Sequence, residues 1–133
     1  MIIVDKSKYI HYLSNCYIGK THDYALLKSE FPPEREWFSH YQVRMDLGYQ
    51  GFEKDYKCKK VIIPHKKPRH QELTDSQIKE NKQKSRKRIR VEHSIGGMKR
   101  YRFLADRLRA HDYDLYDDVL EICAGLWNLT LKH

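Results

Sequence analysis

The sequence predicts an α/β domain, and three observations carry the prediction. Met1-Ile2-Ile3-Val4, Tyr41-Gln42-Val43-Arg44-Met45-Asp46 and the run through Val61-Ile62-Ile63 are β-branched or alternate apolar with polar side chains, as strands do. Between and after them, residues 23–31, 74–100 and 114–129 carry helical spacing. The 133-residue length suits one folding domain, so residues 1–133 are expected to form a single unit.

Taken in order, Met1 to Val4 and the segment 9–17 read as a β-hairpin joined by Asp5-Lys6-Ser7-Lys8. A chain that starts directly inside a strand suggests a segment upstream of Met1. Gly19-Lys20-Thr21-His22-Asp23 breaks the strand pattern, and the helix after it is stopped by Pro32-Pro33, with Thr21 or Asp23 as its expected cap. His22-Asp23 reads either as a metal-ligand pair or as a capping Asp beside a surface His. Residues 41–46 form a strand that ends at Asp46, followed by the turn Leu47-Gly48-Tyr49-Gln50-Gly51. Residues 56–64 form another strand, and His65-Lys66-Lys67-Pro68-Arg69-His70 opens as a basic loop. Lys66 and Lys67 there can clamp a phosphate backbone or simply be solvated.

Thr74-Asp75-Ser76-Gln77 has the form of a capping box, and the helix it starts is densely basic. Within it Ser85, Arg88, Glu92 and Lys99 share one narrow stripe, with Val91, Ile95 and Met98 forming an apolar stripe beside it. Gly96-Gly97 implies a bend, a break or a close backbone approach, and a basic aromatic run from Tyr101 to Arg109 follows. The last helix, 114–129, places Leu115, Val119, Leu120, Cys123, Leu126 and Trp127 on a packing face.

Composition narrows the partner. Lys and Arg number 26 against 18 Asp and Glu, for a net charge of +8 and a pI near 9.4. That balance favours a nucleic acid or another polyanion. The three cysteines, Cys16, Cys58 and Cys123, are widely spaced, which argues against a disulfide framework or a zinc knuckle and for a reducing compartment. No apolar run is long enough for a membrane span, so a cytoplasmic chain is expected, nucleoid-associated in a bacterium.

Two carboxylates stand out chemically: Asp46 at a strand end, and Glu92 in a basic helix between Arg88 and the Lys99-Arg100 pair. In that order they have the character of two ligands of a two-metal phosphodiester site, where acidic side chains hold paired divalent ions. Hard oxygen donors select Mg²⁺ or Mn²⁺. Such a site normally needs a third acidic residue.

These residues resemble a known family, the DDE transposases of bacterial insertion sequences and their Harbinger-type relatives. Gly19-Lys20-Thr21-His22-Asp23 is similar to the family's Gly-x-x-His-Asp segment, and Asp46-Leu47-Gly48-Tyr49-Gln50-Gly51 to the segment carrying its second catalytic Asp. Pro64-His65-Lys66-Lys67-Pro68-Arg69 and Glu72-Leu73-Thr74 resemble its connecting loop. Arg88, Glu92 and Lys99 match the Arg-x3-Glu-x6-Lys pattern around its third carboxylate, and Gly125-Leu126-Trp127-Asn128-Leu129 resembles its closing helix. The resemblance implies an RNase H-like fold, a mixed sheet flanked by helices, incomplete at the N-terminus. It further implies Asp46 and Glu92 as catalytic metal ligands, and contacts to transposon and target DNA from Arg88, Lys99, Arg100, Lys66 and Lys67. The partners it implies are DNA and either a second copy or a complementing transposase segment. Ser85 departs from the tyrosine that many relatives carry. The family's first catalytic Asp belongs to a strand that the resemblance places upstream of Met1, with Asp5 in a hairpin turn. The expectation is therefore a DNA-transposition domain with two of three carboxylates that cleaves little by itself; the alternative is a non-catalytic DNA-binding or subunit-interaction remnant.

Overall fold

The computed structural model describes residues 1–17, 21–105 and 113–131. Gly19 and Lys20 of the break after the hairpin, and the 106–109 end of the basic aromatic run with Arg109, lie outside the described residues. Contacts divide the chain into two compact units, Met1–Gly19 with Ile89–His133, and Lys20–Arg88. Helix and strand are mixed as expected for an α/β chain. Among the described residues the strands form two separate pairs, one antiparallel and one parallel.

In the first unit, β1 (Ile2–Val4) and β2 (Ile10–Leu13) make the expected antiparallel hairpin, with Ile2 opposite Leu13 and a register shift after Ile3. β2 stops short of the expected Tyr17 because the backbone leaves the ladder: the Cys16 N–H bonds the Asp117 carboxylate at 2.7 Å. Asp5 organises the turn, accepting from Ser7 N–H at 2.8 Å, Ser7 Oγ at 2.6 Å and Tyr9 N–H at 3.1 Å, with His11 Nε2 3.0 Å away. Burial of the carboxyl opposes its ionisation, but these hydrogen bonds outweigh it and hold the pKa at about 2, below the ordinary 3.8.

Stability from this turn is present above pH 3.8 and is lost as pH falls through about 2. Asp5→Asn is expected to remove that acid-side slope, measured by urea unfolding at stepped acidic pH; wild type and variant losing stability in parallel would contradict it.

Lys8, at φ 74, takes a left-handed conformation that costs a residue with a Cβ about 1 kcal/mol or more. Its carbonyl explains the arrangement, accepting from Ser94 Oγ at 2.8 Å and Trp127 Nε1 at 3.0 Å. One turn carbonyl thus ties the hairpin to both long helices of the unit.

Those helices are α3 (Asp75–Met98), whose residues from Ile89 belong here, and α5 (Tyr113–Thr130). Between them in sequence is the four-residue α4 (Arg102–Ala105), whose Leu104 packs on the core. Val91, Ile95 and Met98 form the inward stripe as expected, together with the fully buried Ser94. The core is Ile10, Met98, Cys123, Ala124 and Trp127, with β1 side chains packed on it. The packing face of α5 differs from the expected one: Leu115 and Leu126 are exposed, and Ala124 is buried. Asn128 crosses to β2, accepting from Ile10 N–H at 2.8 Å and donating to Ile10 O at 2.9 Å.

The second unit holds α1 (Asp23–Glu30), β3 (Gln42–Arg44), a 3₁₀ turn at Leu47–Tyr49, α2 (Phe52–Asp55) and β4 (Lys60–Ile62). β3 and β4 pair in parallel, Val43 opposite Val61. β4 is shorter than the expected 56–64 because Tyr56 turns inward to stack on Phe52, centroids 4.6 Å apart, and its hydroxyl donates to Phe31 O at 2.6 Å. Phe38 completes this aromatic core, and Leu26 and Leu27 of α1 are also buried. The cap of α1 is His22, neither Thr21 nor Asp23: His22 is extended and its Nδ1 accepts from Tyr24 N–H at 3.5 Å. The expected capping box of α3 is present in both directions, Thr74 N–H to Gln77 Oε1 at 3.0 Å and Gln77 N–H to Thr74 Oγ1 at 3.3 Å.

Candidate metal and DNA-contact residues

Asp46 directly follows the β3–β4 ladder, whose last rung is Met45 N–H to Ile62 O at 3.1 Å. Its Oδ1 accepts the Leu47 N–H at 2.6 Å and caps the 3₁₀ turn. Its Oδ2 meets Arg88 Nη1 at 2.7 Å, with the two side chains 55% and 43% exposed. Asp46 therefore serves the turn through one oxygen and an ion pair through the other. The exposed ion pair contributes at most about 1 kcal/mol to stability, so its interest lies in what it does to Asp46.

A second carboxylate stands near this turn. Asp23, the first residue of α1, approaches so closely that a Cβ on Gly48 would lie 3.3 Å from its Oδ2. Burial first, and then the negative charges of Asp23 and Asp46, push the Tyr49 hydroxyl up to about 12. Among the described residues, no three His, Cys, Asp or Glu side chains stand together as a metal cluster.

Glu92 lies on the exposed side of α3, two residues before the buried Ser94, and belongs to the first unit. Lys99 and Arg100 follow the end of α3 and are exposed; the Arg100 guanidinium sits 5.9 Å from the Trp127 ring centroid, within cation–π range. In the second unit the basic loop is anchored, not loose. Asn81 of α3 accepts from His65 N–H at 2.7 Å and donates to His65 O at 3.0 Å, while His65 Nε2 lies 2.7 Å from Glu80 Oε2. Lys84 Nζ donates to Ile63 O at 3.1 Å. Lys66, just beyond the anchor, lines a cleft with His22, Lys28, Gly48 and Gln50. Lys67 is paired with Glu72 at 2.5 Å, a surface bridge that a phosphate can displace at little cost.

Sequence reasoning missed the Arg88–Asp46 pair, the approach of Asp23 to Gly48 and the Asn81 grip on the loop. The only sequence signal for any of them is Gly48 itself, a residue without a Cβ just after the candidate ligand.

The sequence profile of the DDE superfamily endonucleases matches residues 1–128. The chain belongs to this family. It is 31% identical over 115 residues to a protein of Microchaete diplosiphon described as a probable transposase for insertion sequence element IS702. That alignment covers 85% of this chain and 39% of the relative, so the chain spans well under half the relative's length. No solved structure matches the chain. Endonucleases of the DDE superfamily are generally dependent on divalent metal. No helix among the described residues is long and apolar enough to cross a membrane.

Proposed function

We propose that this chain is part of a transposase catalytic domain, in which Asp46 and Glu92 are two carboxylate ligands of a Mg²⁺ or Mn²⁺ site acting on DNA phosphodiesters. The observation that carries the reading is the DDE endonuclease match over residues 1–128, within which Asp46 directly follows the β3–β4 ladder with its carboxylate exposed. The donor chemistry fits, since exposed carboxylate oxygens are the hard ligands these ions prefer. When bound, such ions activate the attacking hydroxyl or water and neutralise charge on the leaving oxygen. The chain's own contribution is to hold the carboxylates and the DNA. The Leu47 N–H fixes the rotation of the Asp46 carboxylate, and the loop held by Asn81 presents Lys66 and Lys67 to the phosphate backbone. Arg88, Lys99 and Arg100 supply further cationic side chains for DNA phosphates. The overall reaction is hydrolysis at the element's end followed by attack of the freed 3′-hydroxyl on target DNA.

Duplex binding by the purified chain is expected to weaken steeply with salt, log K falling linearly with log salt by about 0.9 per phosphate neutralised. Lys66→Gln and Lys67→Gln should each reduce that slope by about 1, uniformly across DNA sequences. Asp46→Asn and Glu92→Gln should leave the slope nearly intact and weaken Mn²⁺ binding, read by electron paramagnetic resonance of free Mn²⁺. Salt-independent DNA binding, or Mn²⁺ binding indifferent to both carboxylates, would overturn the reading.

A further inference from the structure

The second unit contains a cleft beside Asp46, lined by Arg44, Met45, Ile62, Lys84, Ser85 and Arg88 among its walls. Three of these residues are cationic and one carries a hydroxyl. Arg44 bonds the neutral amide of Gln42 at 3.1 Å, and Lys84 is held by Ile63 O at 3.1 Å with Glu80 3.7 Å away. Arg88 is the cation that reaches from this cleft to Asp46, 2.7 Å from Oδ2.

Both oxygens of Asp46 are therefore engaged, one by the Leu47 N–H and the other by a guanidinium. A divalent cation approaching Oδ2 meets a positive group already at hydrogen-bond distance, and the two repel. Guanidinium, however, forms charge-assisted bonds to phosphate as readily as to carboxylate, with a donor fork that suits either. We propose that the Arg44, Lys84, Ser85 and Arg88 cleft takes a backbone phosphate of duplex DNA, which draws Arg88 off Asp46 and frees that carboxylate for the divalent cation. The exchange keeps one charge-assisted bond on Arg88 and removes the repulsion at Asp46. By linkage, DNA then tightens metal binding by the same factor with which metal tightens DNA binding. This rests on the reading of Asp46 as a metal ligand and adds a coupling to it: DNA and metal each favour the other's binding.

Mn²⁺ binding to the full chain tests it, with Mn²⁺ held by the duplex alone subtracted. Without DNA, Arg88→Gln should bind Mn²⁺ about fivefold more tightly than wild type, the factor expected for removing an exposed ion pair. Arg88→Lys, which keeps the charge, should stay near wild type. A short duplex should raise wild-type affinity by a similar factor and leave Arg88→Gln unchanged. Sulfate matched to the duplex's phosphate content should do less; an equal effect would assign the cleft to a free tetrahedral anion and overturn the backbone assignment. Unchanged or weaker Mn²⁺ binding in Arg88→Gln, an equal effect of duplex on both proteins, or no measurable Mn²⁺ binding by either overturns the coupling. If salt-steep duplex binding and the Asp46→Asn loss persist while the Arg88 variants show no effect, the coupling alone falls and the transposase reading stands.

Discussion

Gly97→Ala is expected to destabilise the first unit by about 3 kcal/mol, whereas Gly96→Ala, one residue away, is expected to stabilise it by up to about 1 kcal/mol. The difference comes from what each added methyl would meet. A Cβ on Gly97 would lie 2.1 Å from Trp127 Cε3 and 2.3 Å from Cζ3, distances at which the indole must move. Trp127 cannot move alone, because its Nε1 donates to Lys8 O at 3.0 Å and its ring belongs to the core with Ile10, Met98 and Cys123. Displacing it combines overpacking with a weakened hydrogen bond to a carbonyl that Ser94 would still reach. At Gly96 nothing lies within 4 Å, so alanine only lowers the conformational entropy of the unfolded helix. Urea unfolding of the two variants checks the pair. Equal effects of the same sign would mean that the α3–Trp127 approach is not the packing that holds this unit.

Phe52→Ala is expected to cost about 3–5 kcal/mol, the range for deleting a buried aromatic side chain. Phe52 is fully buried, stacks on Tyr56 at 4.6 Å and meets Phe38 at 5.5 Å. It is also the first residue of α2, immediately after Gly51, whose φ of 98 turns the chain out of the Asp46 region. The methyl left by alanine cannot refill the space between two rings held at fixed backbone positions. Phe52→Leu, which keeps most of the volume, should cost well under half as much. Thermal unfolding followed by near-ultraviolet circular dichroism reads both stability and the aromatic packing; a loss below about 1 kcal/mol in the alanine variant would contradict a core role.

Much of the fold was legible because it rests on short-range rules. The capping box at Thr74 and Gln77 depends only on residues three apart, and it forms in both directions. The Asp5 turn and the inward stripe of Val91, Ile95 and Met98 follow likewise from spacing. Of the bend, break or close approach that the glycine pair implies, the close approach is the one present, at Gly97, and α3 runs unbroken to Met98. Strand ends were less legible. Tyr56 alternates well enough to read as strand, yet burying its ring on Phe52 outweighs a ladder position, and the four-residue α2 is too short to carry a helical period. His22 displaced the better capping residue types because its own backbone is the one that turns extended at the start of α1.

By itself, then, the sequence determined the local elements, the basic charge and the order of motifs that places this chain among the DDE superfamily endonucleases. It also singled out Asp46 as a carboxylate at a strand end, a position that alternation and a following glycine turn are enough to define. Only the tertiary structure decided which partners those residues take: Arg88 for Asp46, Asn81 for the His65 backbone, Trp127 for Gly97. The physical reason is range. Periodicity and capping act over three or four residues and are written in the chain, whereas these pairings join residues 16 to 42 positions apart and exist only once packing has brought their backbones together.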